Sequence, residues 1–223
     1  QDIPEFIADG AADAGVTGWD LVRESGRELA SALDLGFGAC RLVVAVKDDL
    51  PVRSLADLAP GTRVATPFPR IARQFLAGRG LEAEVVPLSG AAEVAPHLKI
   101  ADVVLDLTST GSTLRVNGLR EIETVMESSA RLVVRPDAAA ALSQGRCKPL
   151  ADLVLALDSV RCARGKRYVM ANVPRAALED VKRVLPGLNG PTVVDILNGG
   201  AMVAVHAVVE MQALYRTIGE LQS

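Results

Sequence analysis

The segment that most constrains this chain is residues 103–119, VVLDLTSTGSTLRVNGL, an apolar run that contains one aspartate and leads into a loop of small residues. The aliphatic residues around Asp106 are typical of a short strand that is buried on both faces. The loop offers consecutive backbone N–H groups without bulky side chains, and Gly111 tolerates the turn that wraps an anion. The pattern therefore predicts a strand that brings a carboxylate and an open loop to the edge of a sheet.

Two interpretations of this loop are open on the residues alone. In the first, the loop binds a phosphate group and Asp106 holds sugar hydroxyls. In the second, the Ser and Thr side chains only cap the next helix by bonding to its free N–H groups. The loop has neither the lysine of a Walker motif nor a dinucleotide-binding glycine triplet, so no motif decides between them. The loop residues expected to bind substrate in the first interpretation are Thr108, Ser109, Thr110, Gly111, Ser112 and Thr113.

Composition narrows the class of protein. Hydrophobic residues make up 49% of the 223 residues, which is typical of a well-buried globular protein. The net charge of −3 gives no general attraction to nucleic acid or to an anionic membrane, so neither is expected as a partner. The expected partner is a small molecule.

The cysteines indicate the compartment. Cys40, Cys147 and Cys162 are odd in number and show no CxxC spacing, which favours a reducing environment over a disulfide framework or a zinc site. We interpret them as packing residues, because no histidine is near any of them in sequence. No apolar run reaches the ~18 residues that span a bilayer, and no leader opens the chain. A cytoplasmic enzyme fits these bounds.

Residues 63–113 alternate between strand and helix patterns. Strands are predicted over 63–66 and 84–88 and in the apolar run before the loop, with helices over 70–78 and 91–98. Such alternation implies a parallel sheet, in which ligands bind at the carboxyl ends of the strands. Thr66, Phe68 and the loop would share that edge.

The tail has a different order of elements. A strand is predicted over 166–173, a helix over 174–185, strands over 192–197 and 202–209, and a helix over 211–221. Strand, helix, strand, strand, helix is most of a ferredoxin-like module. The apolar strand over 202–209 suggests edge pairing between subunits.

Several separated segments resemble the ATP phosphoribosyltransferase family. In the first part these are DIPEFIADGAADAGVTGWD, LDLGFGACRLVVAV, RVATPFPRIARQFL, SGAAEVAPHL, ADVVLDLTSTGSTLRVNGL and ESSARLVV. In the tail, KRYVMANVPRAAL, LPGLNGPTV and MVAVHAVV are similar to the regulatory domain of the family's long form.

The resemblance implies an α/β fold with a two-lobed, periplasmic-binding-protein-like catalytic region and a C-terminal ferredoxin-like (ACT-like) α+β regulatory domain. Residues 1–46 and 126–163 would form the first lobe, 47–125 the second lobe, and 164–223 the regulatory domain. The implied reaction joins ATP to phosphoribosyl pyrophosphate, giving phosphoribosyl-ATP and pyrophosphate with the help of Mg²⁺. Histidine would be the feedback inhibitor, and a homo-oligomer, a dimer or hexamer, is expected.

The resemblance also implies roles for individual residues. Asp106 would hold the ribose hydroxyls, the loop would hold the 5′-phosphate, and Glu93 would contact a hydroxyl or a metal-bound water. The remaining residues expected to bind substrate are Gly18, Asp20, Thr66, Phe68, Arg70 and Arg73. Phe68 would cover the adenine, and the two arginines would contact the triphosphate. Gly18 and Asp20 would face the nucleotide from the opposite lobe. The allosteric residues are Leu188, Gly190 and Thr192. Taken without the resemblance, Arg70 and Arg73 are equally a solvated helix face, and Glu93 is a charge at a helix end.

Three departures from the family bear on these expectations. The family's first strand, with its Pro-Lys-Gly-Arg segment, has no counterpart, so we expect a chain truncated at both ends. Lys99 stands where the family has glycine, which costs on the order of 1 kcal/mol if the position needs a positive φ, or else adds positive charge near the phosphates. Gly190 and Met202 replace a serine and a tryptophan in the regulatory module.

Two other functions remain as alternatives. A two-lobed module could bind a phosphorylated or amino-acid ligand without turnover. A different phosphoribosyltransferase family could carry a loop of the same type by convergence. Pyrophosphate release from ATP and phosphoribosyl pyrophosphate distinguishes the enzyme from the binding module. The choice of acceptor base distinguishes it from another phosphoribosyltransferase family.

Overall fold

The computed structural model describes residues 2–185, 187, 190–196 and 200–222. The chain forms two compact units that meet in sequence between Val154 and Leu155. The elements of the first unit are α1 (Ile3–Ala8), β1 (Ala14–Gly18), α2 (Trp19–Ser25), β2 (Ala30–Asp34), β3 (Cys40–Lys47), β4 (Thr62–Thr66), α3 (Pro69–Gly78), β5 (Ala83–Pro87), β6 (Val103–Thr108), α4 (Ser112–Val116), β7 (Leu119–Ser128), β8 (Ala130–Val134) and α5 (Pro136–Ser143). The helix α6 (Lys148–Arg164) begins in the first unit and ends in the second.

A three-stranded antiparallel sheet of order β1-β8-β2 forms what we call the small lobe. Helices α1 and α2 cover it, and Ile7, Val22 and Val133 form its buried core. A Cβ at Gly15 on β1 would collide with the side chains of Ile3 and Ile7. Because glycine has no Cβ, α1 can lie directly on the strand.

A five-stranded sheet of order β5-β4-β6-β3-β7 forms what we call the large lobe. Strands β5, β4 and β6 are parallel, whereas β3 runs antiparallel to both β6 and β7. Helix α3 packs its apolar face, including Ile71 and Leu76, on one side of the sheet, and Leu114 of α4 lies on the other. Strand β6 is buried on both faces as predicted, with Val104 and Leu105 fully covered.

The expected lobe boundary after residue 46 does not match the sheets. Strand β3 lies in the large lobe, because it pairs with β6 from Arg41 to Ala45 and with β7 along its length. Pairing partners are set by contacts distant in sequence, which the local pattern of β3 does not encode. The chain therefore crosses between the lobes twice, at residues 35–39 and at the junction of β7 with β8.

The helix predicted over 91–98 is also wrong. A short 3-10 turn at Ala92–Val94 stands there instead. Pro96 has no N–H for a helical hydrogen bond, and Ala91 and Lys99 have positive φ angles of 50° and 58° at the two ends of the segment. Lys99 thus adopts the left-handed backbone that the family's glycine suggested.

The second unit continues with β9 (Lys166–Pro174), α7 (Leu178–Val184), β10 (Thr192–Asp195), β11 (Met202–Glu210) and α8 (Leu214–Gln222). Its antiparallel sheet has the order β10-β11-β9, over a core that includes Val181, Leu185, Val203 and Val205. The predicted ferredoxin-like order of elements is confirmed. The suggested edge pairing through residues 202–209 is wrong, because β11 is the central strand and has a partner on each side.

Candidate active site

The loop after β6 is shaped by its own hydrogen bonds. Thr108 is buried, and its Oγ1 accepts a 2.8 Å hydrogen bond from the N–H of Gly111, which has a φ of +73°. The hydroxyls of Thr110 and Ser112 lie 2.9 Å apart. The exposed residues of the loop are Ser109, Thr110, Ser112 and Thr113. The loop therefore presents hydroxyls outward from a fixed backbone turn.

An ion pair that the sequence analysis missed braces the base of this loop. Arg41 of β3 lies opposite Thr108 in the sheet and makes two hydrogen bonds, of 2.8 and 3.2 Å, to the carboxylate of Glu121 on β7. A Cβ at Gly111 would lie 3.0 Å from Glu121 Oε1 and 3.1 Å from Arg115 Nη1, so only glycine fits comfortably there. The guanidinium of Arg115 also donates to the carbonyl of Thr110 at 3.1 Å. No sequence signal identifies the pair, since its two members are 80 residues apart.

Asp106 and Glu93 come together at the end of β6. Asp106 is half-buried, and its Oδ1 accepts a 2.7 Å hydrogen bond from the N–H of Leu107. Burial, together with the nearby negative charge of Glu93, raises the pKa of Asp106, although the Leu107 N–H acts in the opposite direction. Two neighbouring carboxylates can accept from sugar hydroxyls or share a cation. Among the described residues no cluster of three metal-ligating side chains exists, so a cation here would need oxygens from a substrate.

Thr66 and Phe68 serve the fold of the β4-α3 turn. Thr66 is fully buried, and its Oγ1 accepts a 2.9 Å hydrogen bond from the N–H of Phe68. The ring of Phe68 is 7% exposed and packs in the main core of the large lobe. The expectation that Phe68 covers an adenine therefore does not fit its burial.

Gly18 and Asp20 lie where α2 meets the crossing between the lobes. Gly18 is the last residue of β1, and the carboxylate of Asp20 folds back against it. Asp20 is buried and accepts a 2.5 Å hydrogen bond from the hydroxyl of Ser128, while its own N–H donates to that hydroxyl at 3.0 Å. Asp20 thus ties α2 to the β7-β8 junction, instead of presenting a free carboxylate to a nucleotide.

Arg70 and Arg73 begin α3, where the large lobe meets the small one. The guanidinium of Arg70 lies against Gly26, whose φ is +68° and where any Cβ would overlap it. The carboxylate of Glu24 accepts from the N–H groups of Arg70 and Ile71 at 2.9 and 3.0 Å, a contact between the lobes that sequence reasoning missed. Arg73 is exposed on the same helix. The structure brings Arg70, but not Arg73, to this contact.

Three cavities follow the line between the lobes. The first, of about 510 Å³, is lined by Ser109, Arg41 and Arg131 among others. The second, of about 410 Å³, has walls that include Trp19, Phe75 and Arg131. The third, of about 370 Å³, is lined by Trp19, Arg23, Arg27 and Arg70 among others. Arg131 lines both the first and the second cavity, and Trp19 lines both the second and the third, so the three lie side by side; we call this row of cavities the cleft.

The structure describes two of the three residues predicted to be allosteric. Gly190 has a φ of +95°, and Thr192 begins β10 opposite His206. Leu188 lies outside the described residues. None of the helices that the structure describes has the length and apolar character needed to cross a lipid bilayer.

The two-lobed α/β unit carries its carboxylates and its hydroxyl-rich loop at the carboxyl end of a parallel strand, which is where open α/β sheets bind small ligands. The family model described as "HisG: ATP phosphoribosyltransferase" matches residues 1–156, and the model "HisG, C-terminal domain" matches residues 163–223. The chain therefore belongs to the ATP phosphoribosyltransferase family, the phosphoribosyltransferases of histidine biosynthesis.

Individual relatives agree with this family. The ATP phosphoribosyltransferase of Gemmatimonas aurantiaca is 64% identical over 226 aligned residues, which cover 100% of this chain and 77% of that protein. The enzyme of Halobacterium salinarum is 48% identical, with 100% of this chain and 76% of that protein covered. Among solved structures, the ATP phosphoribosyl transferase (HisG:HisZ) complex from Thermotoga maritima matches 72% of this chain and 75% of that chain with a TM-score of 0.62 and 26% identity.

Proposed function

We propose that this protein transfers the phosphoribosyl group of phosphoribosyl pyrophosphate to ATP, releasing pyrophosphate, and that the loop after β6 holds the sugar phosphate. The observation that carries the proposal is the pairing of Asp106 with an outward-facing hydroxyl loop at the end of one buried strand, in a chain of this family.

The residues suit this chemistry. An adenine ring nitrogen displaces pyrophosphate from C1 of the ribose, so the reaction needs alignment and charge neutralisation more than a strong base. The carboxylate of Asp106 accepts from the ribose hydroxyls. The hydroxyls of Ser109, Thr110, Ser112 and Thr113, with the loop N–H groups, donate to the 5′-phosphate.

The carboxylates of Asp106 and Glu93 also fit the Mg²⁺ that we expect as cofactor. Mg²⁺ is commonly held by one or two carboxylates together with substrate phosphates, and the charge of Glu93 is near enough to Asp106 to raise its pKa. When bound, Mg²⁺ neutralises phosphate charge.

The cleft beyond the loop has the features that ATP requires. The walls of the 410 Å³ cavity include the rings of Trp19 and Phe75, which suit an adenine better than the buried Phe68 does. The neighbouring cavity brings together Arg23, Arg27 and Arg70. Arg27 already pairs with Glu5 and Asp9, both at 2.6 Å, so we assign the triphosphate to Arg23 and Arg70. In this arrangement the adenine lies between the sugar phosphate and the arginines.

Pyrophosphate release tests the proposal. The full-length protein is expected to release pyrophosphate when ATP, phosphoribosyl pyrophosphate and Mg²⁺ are all present, and to release none when either substrate is omitted. If all three are present and no pyrophosphate forms, while the ligands still bind, the two-lobed fold acts as a binding module. Release with a free nucleobase in place of ATP would point to another phosphoribosyltransferase class.

Feedback inhibition by histidine is proposed for the second unit. Thr192, at the start of β10, and Gly190, with its positive φ, support a ligand-binding turn there, and Leu188 is expected to join them. Thr192→Val is expected to weaken inhibition by histidine without changing KM for either substrate. Inhibition that is unchanged in this variant would place the histidine site elsewhere.

We further propose that the protein is a cytoplasmic homo-oligomer, a dimer or hexamer. The large apolar side chains of Tyr168 and Met170 are each 66% exposed on β9, which supports burial against another copy. The three free cysteines support a reducing compartment. Light scattering during size-exclusion chromatography gives the mass, and a monomer at all concentrations would contradict the assembly.

A further inference from the structure

Arg131 on β8 is held in an unusual position. Its guanidinium carbon lies 4.6 Å from the centre of the Trp19 ring, so the planar group is stacked on an aromatic face. Its Nε is buried and, alone among the buried side-chain polar atoms that the structure describes, has no hydrogen-bond partner. Oδ2 of Asp34 is 3.7 Å from this Nε, which is too long for a hydrogen bond. A buried donor without an acceptor costs stability, so the position calls for an explanation.

Although this Nε is buried, 26% of the Arg131 side-chain surface is exposed, so other atoms of the residue are open to a ligand. Arg131 lines both the 510 Å³ cavity that Ser109 reaches and the 410 Å³ cavity of Trp19 and Phe75. It therefore stands on the wall that is common to the sugar-phosphate end and the nucleotide end. A group bound next to Arg131 would meet both substrates.

We infer that Arg131 binds the pyrophosphate group of phosphoribosyl pyrophosphate, an inference that rests on the proposed function. The 5′-phosphate and the pyrophosphate are attached at opposite ends of the ribose, so a sugar whose 5′-phosphate occupies the loop must carry its pyrophosphate elsewhere in the cleft. A guanidinium matches two phosphate oxygens at once, and its delocalised charge tolerates stacking on an indole.

The charges around Arg131 are mixed, with two arginines and two carboxylates lining the 510 Å³ cavity. The carboxylates are those of Asp34 and Glu127, which would repel an anion. Asp34 already accepts from the hydroxyl of Ser129 at 2.7 Å and from the N–H of Gly36 at 2.9 Å, which offsets part of its charge. Arg41, which lines the same cavity, adds a second cation whose charge is shared with Glu121.

The role of Arg131 in the reaction follows from the bond that breaks. As the adenine nitrogen forms its bond to C1, the C1–O bond breaks and its electron pair leaves with the pyrophosphate. Arg131 then faces an anion whose negative charge is increasing, and stabilises it by charge-assisted hydrogen bonds.

The test uses the full-length protein and the variants Arg131→Gln and Arg135→Gln. Arg135 follows the same strand and pairs with Asp137 at 3.4 Å, which makes it a matched control. Calorimetric titration with phosphoribosyl pyrophosphate, inorganic pyrophosphate and ribose 5-phosphate separates the two ends of the ligand. Arg131→Gln is expected to weaken the first two by at least about tenfold and to leave ribose 5-phosphate unchanged, while Arg135→Gln binds all three as the wild type does.

The outcomes distinguish this inference from the proposed function. A wild-type protein that releases pyrophosphate, with an Arg131→Gln variant that binds all three ligands normally, contradicts the role of Arg131 alone. Equal weakening of all three ligands, with a lowered Tm, would assign Arg131 a structural role and also overturn the inference. Arg131→Lys keeps the positive charge but cannot bind two phosphate oxygens at once as a guanidinium does. A pyrophosphate affinity of this variant between those of the wild type and Arg131→Gln supports the inference. A wild-type protein that binds no phosphoribosyl pyrophosphate contradicts both proposals.

Discussion

Glu93 places its negative charge beside the half-buried carboxylate of Asp106, and burial together with that charge raises the pKa of Asp106 above its ordinary value. The two residues are 13 positions apart, yet the turn at Ala92–Val94 and the end of β6 bring them to one point. A like-charged pair at a strand end is unfavourable without a ligand, and hydroxyl groups or a cation relieve it.

Replacing Glu93 by glutamine is expected to shift the pH dependence of sugar-phosphate binding. The raised pKa means that Asp106 gains its proton at a higher pH than an ordinary aspartate, so affinity falls as the pH drops through that raised value. Glu93→Gln removes the repelling charge and lowers the pKa of Asp106, so the loss of affinity moves to lower pH. Titrations of phosphoribosyl pyrophosphate across a pH series measure this shift. If wild type and Glu93→Gln lose affinity at the same pH, the prediction is contradicted. Glu82→Gln, at an exposed position before β5, is the control.

Lys99 is a site where a single change is expected to stabilise the protein. Its φ of 58° is unfavourable for a side chain with a Cβ, so Lys99→Gly should raise the free energy of unfolding by about 1 kcal/mol. Lys99→Ala removes the charge but keeps the Cβ, and it should give no such gain. Urea denaturation measures both variants. A loss of stability in the glycine variant would show that unfolded-state entropy outweighs the relief of strain.

The contact between Glu24 and α3 is expected to matter for stability. The Glu24 carboxylate accepts from two N–H groups in the first turn of the helix, where a negative charge is favourable. Glu24→Gln keeps one acceptor oxygen and loses the charge, at a cost of about 1 kcal/mol. Glu28→Gln, at an exposed position in the same region, should have no effect. Equal unfolding midpoints in urea for the two variants would show that the contact contributes nothing.

The sequence predicts those parts of the fold that local pattern determines. The apolar run around Asp106 predicts a strand buried on both faces, which agrees with the structure. Of the two interpretations left open for Lys99, the structure shows the positive φ. These features depend on residues adjacent in the chain. Strand β3 could not be assigned to its lobe in this way, because the same apolar pattern suits either sheet.

The same distinction between adjacent and distant residues applies to the candidate site. The loop and Asp106 lie on consecutive residues and are therefore visible in the sequence. The bonds of Asp20 to Ser128 and of Arg41 to Glu121, and the stacking of Arg131 on Trp19, join residues 80 to 112 positions apart. The burial of Phe68 likewise depends on how α3 packs, and the sequence showed only that an aromatic residue follows β4.

The central claim is that Asp106 and the loop at residues 108–113 bind phosphoribosyl pyrophosphate, and calorimetric titration of that ligand tests it most directly. Asp106→Asn and Thr110→Ala are expected to weaken binding by at least about tenfold, since the first replaces an ionised acceptor of the ribose hydroxyls by a neutral amide and the second removes a hydroxyl that donates to the phosphate. Asp102→Asn is the matched control, because Asp102 lies just before the opposite end of β6 and pairs with Arg63 at 3.0 Å. It should bind the ligand as the wild type does. Wild-type affinity in Asp106→Asn and Thr110→Ala would contradict the account.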